Sequence, residues 1–351
     1  MTAPKCGGWG AKELPLVSIC IPTYNAADTV RETLASILAQ TYPNLVVHVS
    51  DNASTDDTLN VIESIADSRV TIHRYAENIG GEGNFNRCIQ LAEGKYTAIF
   101  HADDIYEPDM VAKQVAFLEA NPEAGAVFTE ASLIDEVGNK IGEFRLPQGI
   151  ESQNGSYDFA TMFKAVLRNY NFFICSSVMA PTKLYKEEIK CWRGDLFKSS
   201  ADLDLWLRIL QCHPIGYLPE RLMRYRISHS QFSAGVRLRT ERADFFLVID
   251  HYLKKEPIRE MLSATDLNNY RWLDRRDRVM RAVNLFITGQ PKQANELLRG
   301  VFSWDALKAA LKSKRGLFVL VIGGYVKLLA ALRFDKIGQL SLSYMKHVTR
   351  K

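Results

Sequence analysis

From Leu16 onward the chain alternates short apolar, β-rich runs with segments of helical period, the pattern of a mostly parallel α/β sheet. Residues 16–21, 45–50, 70–75, 96–101 and 124–129 read as strands. Between them apolar residues recur at helical spacing: Val30, Leu34, Ile37 and Leu38; then Leu59, Ile62 and Ile65; then Phe85, Cys88, Ile89 and Ala92, stopped at Gly94. Pro108 opens a further helix that Asn121-Pro122 closes. Beyond Ile134 the pattern loosens, with Asp135-Glu136-Val137-Gly138-Asn139 as a hairpin turn and 149–155 as a loop. A helix is expected over 159–168, a strand over 172–179, and a helix over 203–210 with Leu203, Leu207 and Leu210 on one side. No strand pattern follows Glu241, so the expected organisation is a tail (1–13), an α/β domain (14–240) and a helical C-terminal appendage (241–351).

Composition bounds this picture without changing it. With 351 residues, 47% hydrophobic and 24% charged, the chain can bury one large core and carry a second unit. Its six cysteines form no CxxC pair, which argues against a zinc site or a disulfide framework and fits a reducing cytosol. The N-terminus lacks the apolar core of an export signal, and the longest apolar run, 317–326, is about half of what a membrane-spanning helix needs, so a cytoplasmic protein is expected. The net charge of +4 is unevenly placed: residues 241–351 hold 21 Lys and Arg against 11 Asp and Glu, or +10, leaving −6 elsewhere. A basic, partly apolar helical region suits anionic lipid headgroups or is simply a solvated face; no nucleic-acid-binding motif accompanies it.

The chemistry concentrates at strand ends. The fourth strand runs into Phe100-His101-Ala102-Asp103-Asp104, where adjacent carboxylates at the carboxyl edge of a parallel sheet suit a hard divalent ion carrying a diphosphate; the alternative is a turn before the Pro108 helix. The first strand ends in Pro22-Thr23-Tyr24-Asn25 and the second in Asp51-Asn52-Ala53-Ser54-Thr55-Asp56-Asp57, two loops expected to meet on that edge. Asp51 is placed to accept hydrogen bonds from a base edge or a ribose; Thr55 or Asp56 is the better cap for the following helix.

Pro22-Thr23-Tyr24-Asn25, Asp51 with Ser54-Thr55-Asp56, Asn78-Ile79-Gly80, His101-Ala102-Asp103-Asp104 and Ala201-Asp202-Leu203-Asp204-Leu205-Trp206-Leu207-Arg208 occur in the order and spacing of the family 2 glycosyltransferases. Over roughly residues 14–235 the chain resembles the polysaccharide and surface-glycan members found in bacteria, inverting enzymes of the GT-A fold that use nucleotide-diphosphate sugars. The resemblance implies that Pro22, Thr23, Tyr24 and Asn25 form the donor loop beside the nucleobase, that Asp51 contacts uracil or ribose, and that Asn78 and Gly80 lie under the nucleotide. It implies an Asp-x-Asp-type metal motif with His101 at the first acidic position, so that Asp103, with Asp104 beside it, holds Mn²⁺ or Mg²⁺ and the ion neutralises the leaving diphosphate. His101 itself either contacts phosphate or packs.

The same resemblance aligns Asp202 with the aspartate of the family's Glu-Asp motif, Ala201 replacing the glutamate. Asp202 is then the base that deprotonates the acceptor hydroxyl, a role compatible with an N-cap. Trp206 and Leu207 are expected to pack, and Arg208 to pair or snorkel. In the closing segment Arg226 offers a fork-shaped donor to the diphosphate, and His229, one position off the family's spacing, is either a metal or phosphate contact or a surface loop residue. Residues 228–237, with Gly235 as hinge, are expected to close over the donor.

The implied function is transfer of one sugar, from a UDP-sugar, to a glycan or lipid-linked glycan acceptor, by an enzyme peripheral on the inner face of the cell membrane. A sugar nucleotidyltransferase would carry a Gly-rich, Arg-containing loop where Pro-Thr-Tyr-Asn stands, and a non-catalytic nucleotide-sugar-binding scaffold would have no need of Asp103 and Asp202. Residues 317–332, apolar around Gly323-Gly324 and Lys327, are open to three placements: in a bilayer interface, docked on the catalytic domain, or in a dimer.

Overall fold

The computed structural model describes residues 14–150, 155–227, 238–304, 307 and 314–348. The predicted alternation becomes β1 (Val17–Thr23), α1 (Val30–Leu38), β2 (Leu45–Asp51), α2 (Thr58–Glu63), β3 (Val70–Arg74), α3 (Gly80–Leu91) and β4 (Tyr96–Ile99). These four strands pair in parallel in the order β3-β2-β1-β4. β1 is buried along almost its whole length, as a strand must be when helices cover both faces, which is why it reads as a continuous apolar run. Helix α1 turns Val30, Leu34 and Ile37 inward, the residues that gave it its period.

The second half of the sheet is mixed. It comprises β5 (Ile105–Tyr106), α4 (Met110–Ala120), β6 (Ala126–Ile134), β7 (Lys140–Phe144), β8 (Ser156–Tyr157), α5 (Phe159–Asn169), β9 (Met179–Pro181), α6 (Gly194–Phe197), α7 (Ala201–Cys212) and β10 (Ile215–Arg226). β9 runs antiparallel between β4 and β6, β10 runs parallel to β6, and β5 caps the edge antiparallel to β10. The β6–β7 hairpin forms where expected, with Asp135 Oδ1 accepting from Val137 N at 3.1 Å and from Asn139 N at 2.8 Å.

Two expectations change. Residues 172–179 are not one strand: a 3₁₀ turn, Cys175–Ser177, occupies the centre and only the end enters β9. The apolar run there reports burial, with Phe172, Phe173, Ile174 and Val178 all inside, rather than extended backbone. The twelve-residue β10 carried no strand signal, because Pro219-Glu220-Arg221 interrupts it; in the structure that stretch is an exposed irregularity where the pairing with β6 shifts register. Gly216 on this strand makes room for α4, since a Cβ there would overlap the Phe117 ring.

The chain divides into two compact units, Met1–Phe159, Phe173–Gly194 and Asp204–Ile227 in one, Ala160–Phe172, Asp195–Leu203 and Ser228–Lys351 in the other. The core of the first joins both sheet faces through Ile19, Val47, Phe100, Met110 and Val127. The second holds α8 (Phe245–Leu253), α9 (Glu256–Glu260), α10 (Ala264–Ile287), α11 (Pro291–Leu297), α12 (Lys314–Leu332) and α13 (Asp335–Val348) around Val279, Phe286, Leu298, Val326 and Leu342. A capping box starts α10: Ser263 Oγ accepts from Asp266 N while Asp266 accepts from Ser263 N. No helix among the described residues is long and apolar enough to cross a membrane.

Candidate active site

The two early loops do meet. Thr23 at the end of β1 pairs with Asp51 at the end of β2, and Asn52 N donates to Thr23 O at 2.9 Å. Beyond that point the loops are zipped by side chains: Asn25 N donates to Ser54 Oγ at 3.0 Å, Thr55 N to Asn25 Oδ1 at 2.8 Å, and Ala26 N to Thr58 Oγ1 at 2.8 Å. Asn25 adopts φ 47° and Ala53 φ 63°, left-handed conformations that turn both loops sharply at the sheet edge; asparagine tolerates this well, alanine less so. Thr23 is buried, and Tyr24 beside it presents a ring that is 47% exposed.

Asp51 is 1% exposed; its Oδ2 accepts from Ser54 N at 3.1 Å, while Oδ1 is buried with no hydrogen-bond partner among the described residues. A buried carboxylate oxygen with unused hydrogen-bonding capacity is expensive. The helix-capping role falls elsewhere, since Asp56 Oδ1 accepts from Thr58 N at 3.0 Å. Asn78 and Gly80 are tied into the same edge: Asn52 Nδ2 donates to Asn78 Oδ1 at 2.8 Å and to Gly80 O at 3.1 Å, and Gly80 N donates to Asn78 Oδ1 at 2.9 Å. Arg87, stacked 3.7 Å over Tyr75, holds Asn52 Oδ1 at 2.8 Å. Gly80 has φ 80°, which a side chain would strain.

β4 continues into the metal-motif loop, and His101, Asp103 and Asp104 each offer a ligand atom within 4.8 Å of the others. The loop is fixed from three sides. Thr29 and Thr33, one turn apart at the start of α1, donate to Ala102 O at 2.9 Å and Asp104 O at 2.8 Å. Tyr106, stacked on Phe100, accepts from His101 N at 2.7 Å. From β10, Arg226 N donates to Asp104 Oδ1 at 2.9 Å and Arg226 Nε to Asp103 O at 2.9 Å.

These contacts separate the roles of the two aspartates. Asp104 is fully buried, with Oδ2 accepting from Ser176 Oγ at 2.6 Å and Oδ1 from the Arg226 backbone. Burial, with the Asp103 charge adding, holds the Asp104 carboxyl well above the ordinary carboxylate range despite those donors. His101 Nε2 is buried without a partner among the described residues, and burial lowers the ring's pKa against the opposing pull of Asp103, which favours neutral imidazole. The Asp103 carboxylate suits a hard ion such as Mn²⁺ or Mg²⁺ and a neutral imidazole can add a nitrogen donor, so the residues present fit a divalent ion.

Arg226 lies in a different place from the diphosphate contact expected of it. Its guanidinium is almost fully buried and donates to Asp103 O, to Glu136 O at 2.9 Å, to Asp135 O at 3.3 Å and to Glu32 at 2.6 Å. It clamps the metal-motif loop to α1 and to the β6–β7 turn. His229 and the 228–237 loop lie outside the described residues.

In the second unit, Asp202 is the second residue of α7, inside the first turn rather than at the cap. Asn171 Nδ2 donates to its Oδ2 at 3.1 Å, and its Oδ1 is buried without a partner among the described residues. Burial pushes the Asp202 carboxyl up to about 6, against the lowering effect of the Leu203 N–H and Asn171. That value is well placed for a general base near neutral pH. Asp204, fully buried in the first unit, is instead a structural anion: Arg193 Nε reaches Oδ2 at 2.8 Å and Arg208 Nε the same oxygen at 3.0 Å. Arg208 also holds Ile189 O at 2.8 Å and Cys191 O at 2.6 Å, and Trp206 and Leu207 pack with no exposure, as expected. Thr29, Thr33, Glu32, Asn171 and Ser176 were not legible as site residues; each meets a partner far from it along the chain.

Comparison with known proteins agrees with this geometry. Residues 18–184 match the model for glycosyl transferase family 2. The chain is 28% identical over 225 residues to the putative teichuronic acid biosynthesis glycosyltransferase TuaG of Bacillus subtilis, covering 63% of this chain and 82% of that protein. It is 37% identical over 106 residues to the UDP-Glc:alpha-D-GlcNAc-diphosphoundecaprenol beta-1,3-glucosyltransferase WfaP of Escherichia coli, covering 30% of this chain and 42% of WfaP. The fold is that of S. aureus TarS 1-349, crystallised in complex with UDP-GlcNAc, with a TM-score of 0.59, 17% identity, and 90% and 92% of the two chains covered. The match to the glycosyl transferase family 2 model over residues 18–184, on a sheet with the fold of TarS, makes this chain similar to the family 2 glycosyltransferases.

Proposed function

We propose that this glycosyltransferase moves a hexosyl group from a UDP-sugar to a hydroxyl of a glycan or lipid-linked glycan, with inversion, in one displacement. The observation that carries the donor half is the buried Oδ1 of Asp51, without a hydrogen-bond partner among the described residues, on the sheet edge it shares with the metal-motif loop, with the exposed Tyr24 following Thr23, the residue that pairs with Asp51. In this reading Asp51 accepts from the uracil or ribose, Tyr24 covers the base, and Asn25, Asn78 and Gly80 hold the loops that shape the nucleotide's bed. Asp103 and His101 hold the divalent ion, which when bound neutralises charge on the diphosphate. Asp104 and Arg226 keep Asp103 in place.

Asp202 supplies the base. The acceptor oxygen attacks the anomeric carbon, its proton passes to Asp202 Oδ1, and the bond from the anomeric carbon to the diphosphate oxygen breaks, its electron pair leaving with UDP. The UDP-Glc donor and the diphosphoundecaprenol-linked acceptor in the name of WfaP support a UDP-sugar donor and a lipid-linked acceptor.

The test is UDP release from a panel of UDP-sugars with Mn²⁺. Turnover by the native chain is expected, with Asp103→Ala losing metal dependence and activity together and Asp202→Asn binding UDP normally but turning over at least about 100-fold more slowly. Equal turnover by Asp202→Asn would refute the assignment of the base, and UDP binding without turnover of any sugar would make the protein a binding module.

A further inference from the structure

Helix α12 is apolar on both sides. One side packs into the core of its unit through Val319, Ile322, Val326 and Leu329. The other carries Leu317, Val321, Leu328 and Leu332, between 49% and 61% exposed, at spacings of four, seven and four that place them in one stripe. A helix at an aqueous surface has polar residues there. α13 repeats the arrangement with Ile337, Leu340 and Tyr344, exposed by 58%, 75% and 70% and spaced as one face. Both helices set their inner sides on α10, Gly323 approaching Val279 and Gly338 approaching Phe286. The two stripes therefore both face away from α10, each an apolar row left uncovered among the described residues.

The charge around this surface selects its occupant. The exposed turn between the two helices carries Arg333 and Lys336 against Asp335, and Lys327 stands on α12, whereas Lys346 donates inward to Asn284 Oδ1. Lys327 lies with its ammonium 5.2 Å over the Phe302 ring, a cation laid along apolar surface. Two copies joined by these faces would bring like charges together, whereas anionic headgroups would neutralise them. We propose that the α12–α13 hairpin is a lipid-docking surface, lying in the interface of an anionic membrane with its apolar stripes inserted and its cations at the headgroups. It rests on the reading of a lipid-linked acceptor, which it deepens by holding the enzyme on the surface that carries that acceptor.

The test is co-sedimentation of the full chain with phosphatidylcholine vesicles made with and without phosphatidylglycerol, at low and high salt, beside UDP release measured without lipid. Binding is expected with phosphatidylglycerol, weakened by salt. The double variant Leu328→Asp/Leu340→Asp should weaken binding about tenfold or more for each leucine, and Arg333→Gln/Lys336→Gln about fivefold for each cation, both with native circular dichroism and unchanged UDP release. No binding at low salt, binding indifferent to both variants, or self-association abolished by Leu328→Asp in place of vesicle binding would overturn the proposal. Lost UDP release by the native chain with vesicle binding intact would instead overturn the enzymatic reading and leave the surface standing.

Discussion

Asp202→Asn should make the protein more stable as it makes it inactive. In the folded chain burial raises this carboxyl from 3.8 to about 6. A carboxyl with a raised folded-state pKa is most favourable to folding below its unfolded value, where both states are protonated. As pH rises towards 6 the unfolded chain gives up its proton first, and stability falls until the folded carboxyl ionises too. The gap of about two units corresponds to a penalty of about 3 kcal/mol at pH 7 and above. Asparagine does not titrate, and its side-chain oxygen can still accept from Asn171. The variant should therefore match the native protein near pH 4 and exceed it increasingly up to pH 6, with a plateau of about 3 kcal/mol, less whatever the new amide leaves unsatisfied. Denaturant midpoints at a series of pH values measure this, because titrations common to both proteins cancel in the difference. A difference independent of pH, or a variant less stable at pH 8 than at pH 4 relative to native, would refute the claim that burial strains the base.

The other expectations concern the groups around the two carboxylates. Asn171→Ala removes a donor that favours ionised Asp202, so the acidic limb of the pH–rate profile for UDP release should move up by about one unit, leaving the rate at high pH little changed; an unmoved limb would deny Asn171 a positioning role. Asp51→Asn should weaken UDP binding by about ten- to a hundredfold in calorimetry, the loss expected for a charge-assisted hydrogen bond, and unaltered affinity would remove Asp51 from the nucleotide contacts. Arg226→Lys cannot serve Asp103 O, the two turn carbonyls and Glu32 together, so it should lower the thermal midpoint and raise the Mn²⁺ concentration for half-maximal turnover. A change in UDP affinity alone would return Arg226 to the diphosphate.

Local patterning carried much of the fold. β1, β2 and β4 were legible because strands covered on both faces must be almost wholly apolar, and α1 because half-covered helices repeat near every 3.6 residues. The parallel order β2-β1-β4 sets the ends of these strands on one sheet edge, where the Asp51 and His101–Asp104 loops were expected. β10 and the 175–177 turn were not legible, because an interrupted edge-side strand and a buried irregular segment have no period of their own.

Only the tertiary structure decided what the charged residues do. Sequence shows that Asp103 and Asp104 are adjacent and that Arg226 can bind an anion; it does not show that Ser176 and the Arg226 backbone already occupy Asp104, or that the guanidinium is used on Asp103 O and the β6–β7 turn. The role of an ionisable side chain depends on its solvation and on donors brought from distant parts of the chain, and so does its pKa, as Asp202 illustrates. The same reason applies to α12 and α13: their apolar residues are visible in the sequence, but which of them the core leaves uncovered is settled only when α10 takes one face of each.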